Sequence, residues 1–322
     1  MADLEFFTDP GDFLRAADEY LGRDPVLNTV VATVSQRLRD EIADGVAQDD
    51  SFARWWLLVR DAEGEITGAA MRTADFAPYP LFVLPLPDDA AVDLARALHA
   101  RGEEVGGVNG ALPGTRLCAE ELARLTGGVA TVGVHTRLFE LGGLVPPRPA
   151  GGHLRQAVAD DVELALAWFA AFARDADEQA GRPPDSHHEP FEDRPSMLRR
   201  VDGGRLWFWV DDAGERVHLT GANAPAFGAV RLGPVYTPPA QRGRGYASAA
   251  VAEVSRRIVA GGARACLFTD QANPTSNKIY EALGYRPVVD MANMRVLTDR
   301  RTGGRVGPVG AARGPRGRRR PW

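Results

Sequence analysis

The residues best placed to do chemistry lie in the run Arg231-Leu232-Gly233-Pro234-Val235-Tyr236-Thr237-Pro238-Pro239-Ala240-Gln241-Arg242-Gly243-Arg244-Gly245-Tyr246-Ala247-Ser248. A strand-like apolar stretch ends at Thr237, a tight loop with two glycines follows, and a helical stretch begins at once. A helix entered this way presents unpaired backbone N–H groups at the positive end of its dipole, the arrangement that holds a phosphate. Gly243 and Gly245 let the backbone approach the anion closely, and Arg242 and Arg244 add charge. The loop is not a P-loop, because no Gly-Lys-Ser/Thr follows, and it is not a dinucleotide fingerprint, because Gly-x-Gly-x-x-Gly is absent.

The elements that must position this loop read as follows. Strands are expected at His153–Val158, Leu206–Val210, Val217–Thr220, Ala229–Tyr236, Ala265–Thr269, near Val288 and at Met294–Leu297. Helices are expected at Val162–Phe172, Ser196–Val201, Gly243–Val259 and Pro274–Leu283, the last closed by Gly284. The order β-α-α-β-β-β-α-β-α-β-β recurs loosely upstream. There, helices at Phe13–Leu21 and Val26–Ala43 precede strands at Trp55–Arg60, Ile66–Arg72 and Leu81–Leu84; helix Ala90–Ala100, strand Val105–Asn109, helix Ala119–Leu125 and strand Ala130–Glu140 follow. This points to an internal structural duplication with little sequence identity.

Length and composition fit that division. The chain has 322 residues, 44% hydrophobic and 25% charged, enough for two buried cores and incompatible with a disordered or fibrous protein. Residues 141–152 are too rich in Gly and Pro for a helix or strand interior and read as a linker. Residues 301–322 are Gly/Pro/Arg-rich and read as a flexible basic tail; removing its seven arginines leaves residues 1–300 at −12 rather than the −5 of the whole. Two distant cysteines, Cys118 and Cys266, form neither a disulfide framework nor a metal motif, so the expectation is a reducing, cytoplasmic setting and no metal. The acidic N-terminus is unlike a secretory signal, and Val162–Phe172 is about half of the roughly 20 residues a membrane span needs. A single lysine, Lys278, among 38 basic residues, with abundant Gly, Pro and Ala, looks like the codon bias of a GC-rich bacterial genome.

The pattern Arg242-x-x-Gly245-x-Ala247 resembles the pyrophosphate loop of the GNAT family of N-acetyltransferases, Arg/Gln-x-x-Gly-x-Gly/Ala. A second match lies downstream, where Asn273, Ser276, Tyr280 and Leu283-Gly284-Tyr285 fit the family's Asn, small residue, Tyr and Leu-Gly-Phe/Tyr. The resemblance covers roughly residues 151–300 and is closest to bacterial members with tandem GNAT-like halves. It implies an α/β (α+β) fold of two such domains, each a mixed, mostly antiparallel sheet flanked by helices: residues 1–145 degenerate, residues 151–300 catalytic. It also implies that acetyl-CoA is the cosubstrate. The backbone of Val235, Tyr236 and Thr237 would hold the pantetheine, and the amides of Gly243, Arg244, Gly245, Tyr246, Ala247 and Ser248, with Arg242, would hold the pyrophosphate. Asn273 and Ser276 would face the pantetheine, although Asn273 followed by Pro274 is equally a helix cap. Tyr280 would protonate the departing thiolate as general acid.

The base that takes the proton of the acceptor ammonium stays open among Glu178, Asp185, His187, His188, Glu189, Glu192, Asp193 and a water. In the first half, Pro85-Leu86-Pro87-Asp88-Asp89 stands where a glycine loop would be, and two aspartates at a helix start repel a pyrophosphate; that half is expected to bind no coenzyme A. The acidic body favours a small cationic amine as acceptor. The rival readings are a mycothiol-synthase-like enzyme, a non-catalytic coenzyme A sensor or interaction module, and nucleic-acid binding confined to the basic tail. No membrane partner is expected, and monomer and homodimer both remain open.

Overall fold

The structure, a computed structural model, describes residues 3–46, 48, 53–74, 78–179 and 193–297. The tail 301–322, and with it the nucleic-acid reading, lies outside these residues, as do Asp185, His187, His188, Glu189 and Glu192.

The first half comprises β1 (Asp3–Phe7), α1 (Pro10–Ala16), α2 (Asp18–Arg23), α3 (Thr29–Ala43), β2 (Trp55–Arg60), β3 (Ile66–Arg72), β4 (Leu81–Val83), α4 (Asp88–Ala100), β5 (Gly107–Ala111), α5 (Gly114–Thr126) and β6 (Val129–Leu141). The second comprises β7 (His153–Gln156), α6 (Val162–Gln179), α7 (Arg194–Asp202), β8 (Leu206–Val210), β9 (Arg216–Ala222), β10 (Ala229–Tyr236), α8 (Tyr246–Ala260), β11 (Arg264–Asp270), α9 (Pro274–Ala282) and β12 (Tyr285–Leu297). β1, unforeseen in the sequence, completes the correspondence by matching β7. The helix expected over Phe13–Leu21 is broken at Ala17 into α1 and α2, and the two strands expected at the end of the body are one strand, β12, bent by irregularities at Pro287/Val289 and Asn293/Met294.

All twelve strands form a single sheet in the order β1-β2-β3-β4-β5-β12-β6-β11-β10-β9-β8-β7. Its pairs are antiparallel except β4–β5 and β10–β11, which are parallel. The order reads the same from both edges, with a pseudo-twofold relation between β12 and β6. The expected linker, residues 141–152, begins at the last residue of β6 and ends where β7 starts, and the sheet does not divide there. β12, from the second half, pairs with β5 of the first, and β6, from the first half, pairs with β11 of the second. Each half has given its last strand to the other. Runs apolar on both faces, such as Trp55–Val59 and Leu206–Val210, are buried throughout because helices cover both sides of the sheet. α1 and α3 pack with Trp56 and Leu58, α4 and α5 with Leu57 and Val108, α6 and α7 with Phe208, and α8 and α9 with Leu267.

The linker is held where it leaves β6: the Gly142 N–H donates to the Gly284 carbonyl at 3.1 Å and the Val145 N–H to the Leu283 carbonyl at 3.0 Å. This explains the glycine of the Leu283-Gly284-Tyr285 motif. Gly284 has φ +96°, and a Cβ there would collide with the Gly143 carbonyl oxygen. Gly284→Ala is therefore expected to cost ~2–4 kcal/mol of unfolding free energy, read as a lower urea midpoint. An unchanged midpoint would show that the linker backbone simply gives way.

Candidate active site

The parallel ladder between β10 and β11 runs only from Ala229–Arg264 to Leu232–Leu267. Beyond Leu232, β10 shifts register against β9 at Gly233-Pro234, where Gly233 has φ +151°, and then continues to Tyr236 paired with β9 alone. β11 continues to Asp270 paired with β6 alone. The two strands part, and their facing edges have no ladder partner among the described residues. Such an edge accepts an extended, amide-bearing ligand as if it were another strand.

At the mouth of this gap, a short 3₁₀ turn at Pro239–Gln241 leads into Gly243 (φ +79°) and Gly245 (φ +85°), and α8 begins at Tyr246. Those left-handed glycines are why the helix starts at Tyr246 and not at Gly243. Gly245 caps α8 with no side-chain acceptor, and the first intrahelical bond is from the Ala249 N–H to the Gly245 carbonyl at 3.1 Å. The N–H groups of Tyr246, Ala247 and Ser248 have no intrahelical acceptor and open toward the loop, a nest for an anion of phosphate size. Tyr246 is buried under the helix; Ala247 and Ser248 are half-buried and Arg242 to Gly245 are exposed.

Arg242 is directed back into the protein. Its Nε donates to the Thr237 carbonyl at 3.0 Å, and its guanidinium pairs with Asp175 of α6 at 2.6 Å. Asp175 also accepts from the Tyr236 hydroxyl at 3.0 Å. Burial, together with this aspartate, raises the pKa of Tyr236, whose ring lies edge-on to Trp168. Asp175 thus ties the end of β10 and the glycine loop to α6. The sequence reading missed it because it ended this helix at Phe172, whereas the helix runs to Gln179. Val235 lies half-buried opposite Thr220 of β9.

α9 closes the gap from the β11 side. Asn273 is its N-cap, accepting from the Ser276 N–H at 3.1 Å, with Pro274 at the first helical position. Asn277, which the motif does not mark, anchors the helix to the end of β11: Thr269 donates to its Oδ1, and its Nδ2 lies 3.4 Å from the carbonyls of Asp270 and Gln271. Tyr280 is buried in one apolar cluster with Leu232, Leu267, Val251 and Val254, edge-on to Tyr285 at 6.0 Å. Burial pushes its pKa well above the usual phenol value. The Tyr285 hydroxyl is bonded to Ser255 at 2.8 Å, whereas the Tyr280 hydroxyl makes no hydrogen bond to any described residue. Among the described residues this donor has no acceptor.

Two further groups bear on the site. Asp193 caps α7, accepting from the Ser196 N–H at 2.8 Å, and Glu178 is exposed at the end of α6. In the first half, the parallel β4–β5 ladder runs from Leu81–Val108 to Val83–Gly110, and Gly110 brings its backbone so close to Val83 that a Cβ would strike the Val83 carbonyl. Leu86 is buried against Gly68 and Gly114 where the second half has its gap and loop, and α4 begins with Asp88 and Asp89. Among the described residues no group of three or more His, Cys, Asp or Glu is placed to hold a metal, and no helix is long and apolar enough to cross a membrane.

Comparison with known proteins agrees with this geometry. Residues 223–296, from the turn before β10 to the end of β12, match the FR47-like protein family. No curated protein matches the chain in sequence. Among solved structures, a Drosophila protein superposes with a TM-score of 0.62 at 15% identity, covering 92% of this chain and 99% of that one. A GCN5-related N-acetyltransferase from Sphaerobacter thermophilus gives 0.52 at 20% identity, covering 91% and 95%. A tandem GNAT protein from the clavulanic acid biosynthesis pathway gives 0.51 at 15% identity, covering 91% and 97%. The two halves, the parted strands and the glycine loop give this chain a fold like that of the tandem GNAT protein, and its second half carries the segment that matches the FR47-like family.

Proposed function

We propose that the chain transfers an acetyl group from acetyl-CoA directly to a primary amine of a small, cationic acceptor, and that only the second half is catalytic. The observation that carries this reading is the coincidence, around one gap, of a β10 end at Val235–Tyr236 that has no ladder partner on its β11 side, amides at Tyr246–Ser248 without intrahelical acceptors and a Tyr280 phenol with no hydrogen-bond partner among the described residues. Acetyl-CoA supplies the activated thioester. The amides of the loop hold its diphosphate, and the edge of β10 pairs with the pantetheine amides and polarises the acetyl carbonyl through a backbone N–H. The deprotonated amine nitrogen forms a bond to the carbonyl carbon, the carbon–sulfur bond breaks, Tyr280 gives its proton to the sulfur, and the second proton shed by the acylated nitrogen restores the phenol through water. The ammonium proton of the acceptor leaves through a carboxylate or water on the α6–α7 side. The −12 charge of residues 1–300 supports a cationic acceptor.

Free-thiol release over a panel of amines, amino sugars and polyamines is the direct test. Turnover on at least one cationic amine is expected, and the mycothiol-synthase-like alternative is read out by including a cysteinyl amino-sugar conjugate as acceptor. Saturable acetyl-CoA binding with no turnover on any amine would favour a sensor. Coenzyme A binding by the first half is not expected, because Leu86 fills the corresponding space and Asp88 and Asp89 oppose the anion.

A further inference from the structure

A short polar chain runs through the apolar layer beneath the cofactor loop. His218 of β9 has no exposed surface; its Nδ1 is 2.7 Å from the Thr237 hydroxyl and its Nε2 is 2.7 Å from the Thr220 hydroxyl. A neutral imidazole has one donor and one acceptor nitrogen, and a hydroxyl can play either part, so either tautomer satisfies both contacts. Burial pulls the ring's pKa down to about 3, which keeps it uncharged at working pH. Thr220 is also fully buried, and β8 places Trp209 opposite His218. Leucine and valines of similar volume would fill this layer without the desolvation cost of four polar side-chain atoms, so packing alone does not account for the set.

What the set controls is its outer end. Thr237 is the residue at which β10 gives way to the loop. His218 holds its hydroxyl, and its carbonyl accepts from Arg242, which in turn pairs with Asp175. One hydrogen-bonded chain therefore leads from Thr220 through His218, Thr237 and Arg242 to Asp175, and the amides from Gly243 to Ser248 start at its Arg242 link. We propose that His218 is a positioning residue for the diphosphate-binding loop: it clamps Thr237, and so fixes the direction in which the loop leaves the sheet and the point on which its amides converge. This rests on the acetyl-CoA reading, and it assigns His218 no proton transfer.

The test compares full-length wild type with His218→Leu, His218→Gln and His218→Asn, using calorimetric affinity for coenzyme A and for S-acetylpantetheine, which lacks the diphosphate. Thermal melting checks that each variant is folded. Loss of the clamp is expected to weaken coenzyme A binding about 10-fold or more in His218→Leu and His218→Gln, while S-acetylpantetheine changes less than about twofold. Asparagine places its amide near the position of Nδ1, within reach of Thr237, and is expected to restore part of the loss; it also serves if the leucine variant does not fold. Equal affinities across folded variants would overturn the clamp. So would parallel losses for both ligands, which mark a merely structural residue. A wild type that binds neither ligand would instead overturn the acetyl-CoA reading and take the clamp with it.

Discussion

Tyr280→Phe is expected to lower turnover by about 100- to 10,000-fold while leaving coenzyme A affinity within about twofold. The hydroxyl bonds to no described residue, so its removal strands no partner, and the ring keeps its edge-on contact with Tyr285 and its place among Leu232, Leu267 and Val251. Folding and cofactor binding therefore survive a change that removes only a proton. Because burial raises the phenol's pKa above its ordinary value of 10.0, the proton is present throughout the neutral and moderately alkaline range. The rate profile of the variant should accordingly keep the wild-type shape below pH 9 and differ by a constant factor. Thiol release, calorimetry and melting measure the three quantities. An unchanged turnover number would reduce Tyr280 to a packing residue of α9.

The second large effect concerns the chain as a whole. Expressed separately, residues 1–145 and 146–322 are each expected to lack a cooperative unfolding transition, and co-expressed they should assemble into a folded complex. In isolation the first part keeps β6 without β11 and β12, and β5 without β12; the second keeps β12 and β11 without any of their first-half neighbours. The lost pairings include the ladder from Tyr285–Leu141 to Leu297–Val129, the longest in the sheet, and Ala292 and Met294 leave the core built around Leu57 and Leu94. Against a usual stability of about 5–15 kcal/mol, losses on this scale leave nothing to hold either part together. Circular dichroism and melting of the three preparations decide it. Cooperative folding of 1–145 alone would show that the exchanged strands are dispensable. It follows that a fragment is no test of whether the first half binds coenzyme A; Leu86→Gly in the whole chain is the suitable material.

Most of the elements were legible in the sequence, because hydrophobic period and turn residues are local signals: the runs that became β2, β3, β8 and β10 are all found within a residue or two of their expected places. The motif residues were legible for the same reason, and they surround one gap. The exchange of β6 and β12 was not legible, since a strand's pattern of apolar residues reports that it is covered and not which neighbour it pairs with. β12 read as two strands because Pro287 and the irregularities near it interrupt its alternation. β1, five residues of which two are acidic, lies at a sheet edge and gave too little pattern to find. Asp175 and His218 escaped for a different reason. Their importance arises from contacts across 67 and 19 positions of chain, to Arg242 and Thr237, and no spacing rule connects them.

The exchange also bears on the mechanics of the gap. One wall of the gap is β11, and from Cys266 to Asp270 its outer edge is bonded to Glu140–Thr136 of β6, a strand contributed by the first half. A ligand wedged between β10 and β11 therefore presses against a strand braced by the other half's backbone. The stiffness that resists further opening is supplied by residues far from the loop in sequence, and amides of β6 and β12 will slow their hydrogen exchange when the gap is filled. The first half thus acts as the backstop for the gap in the second.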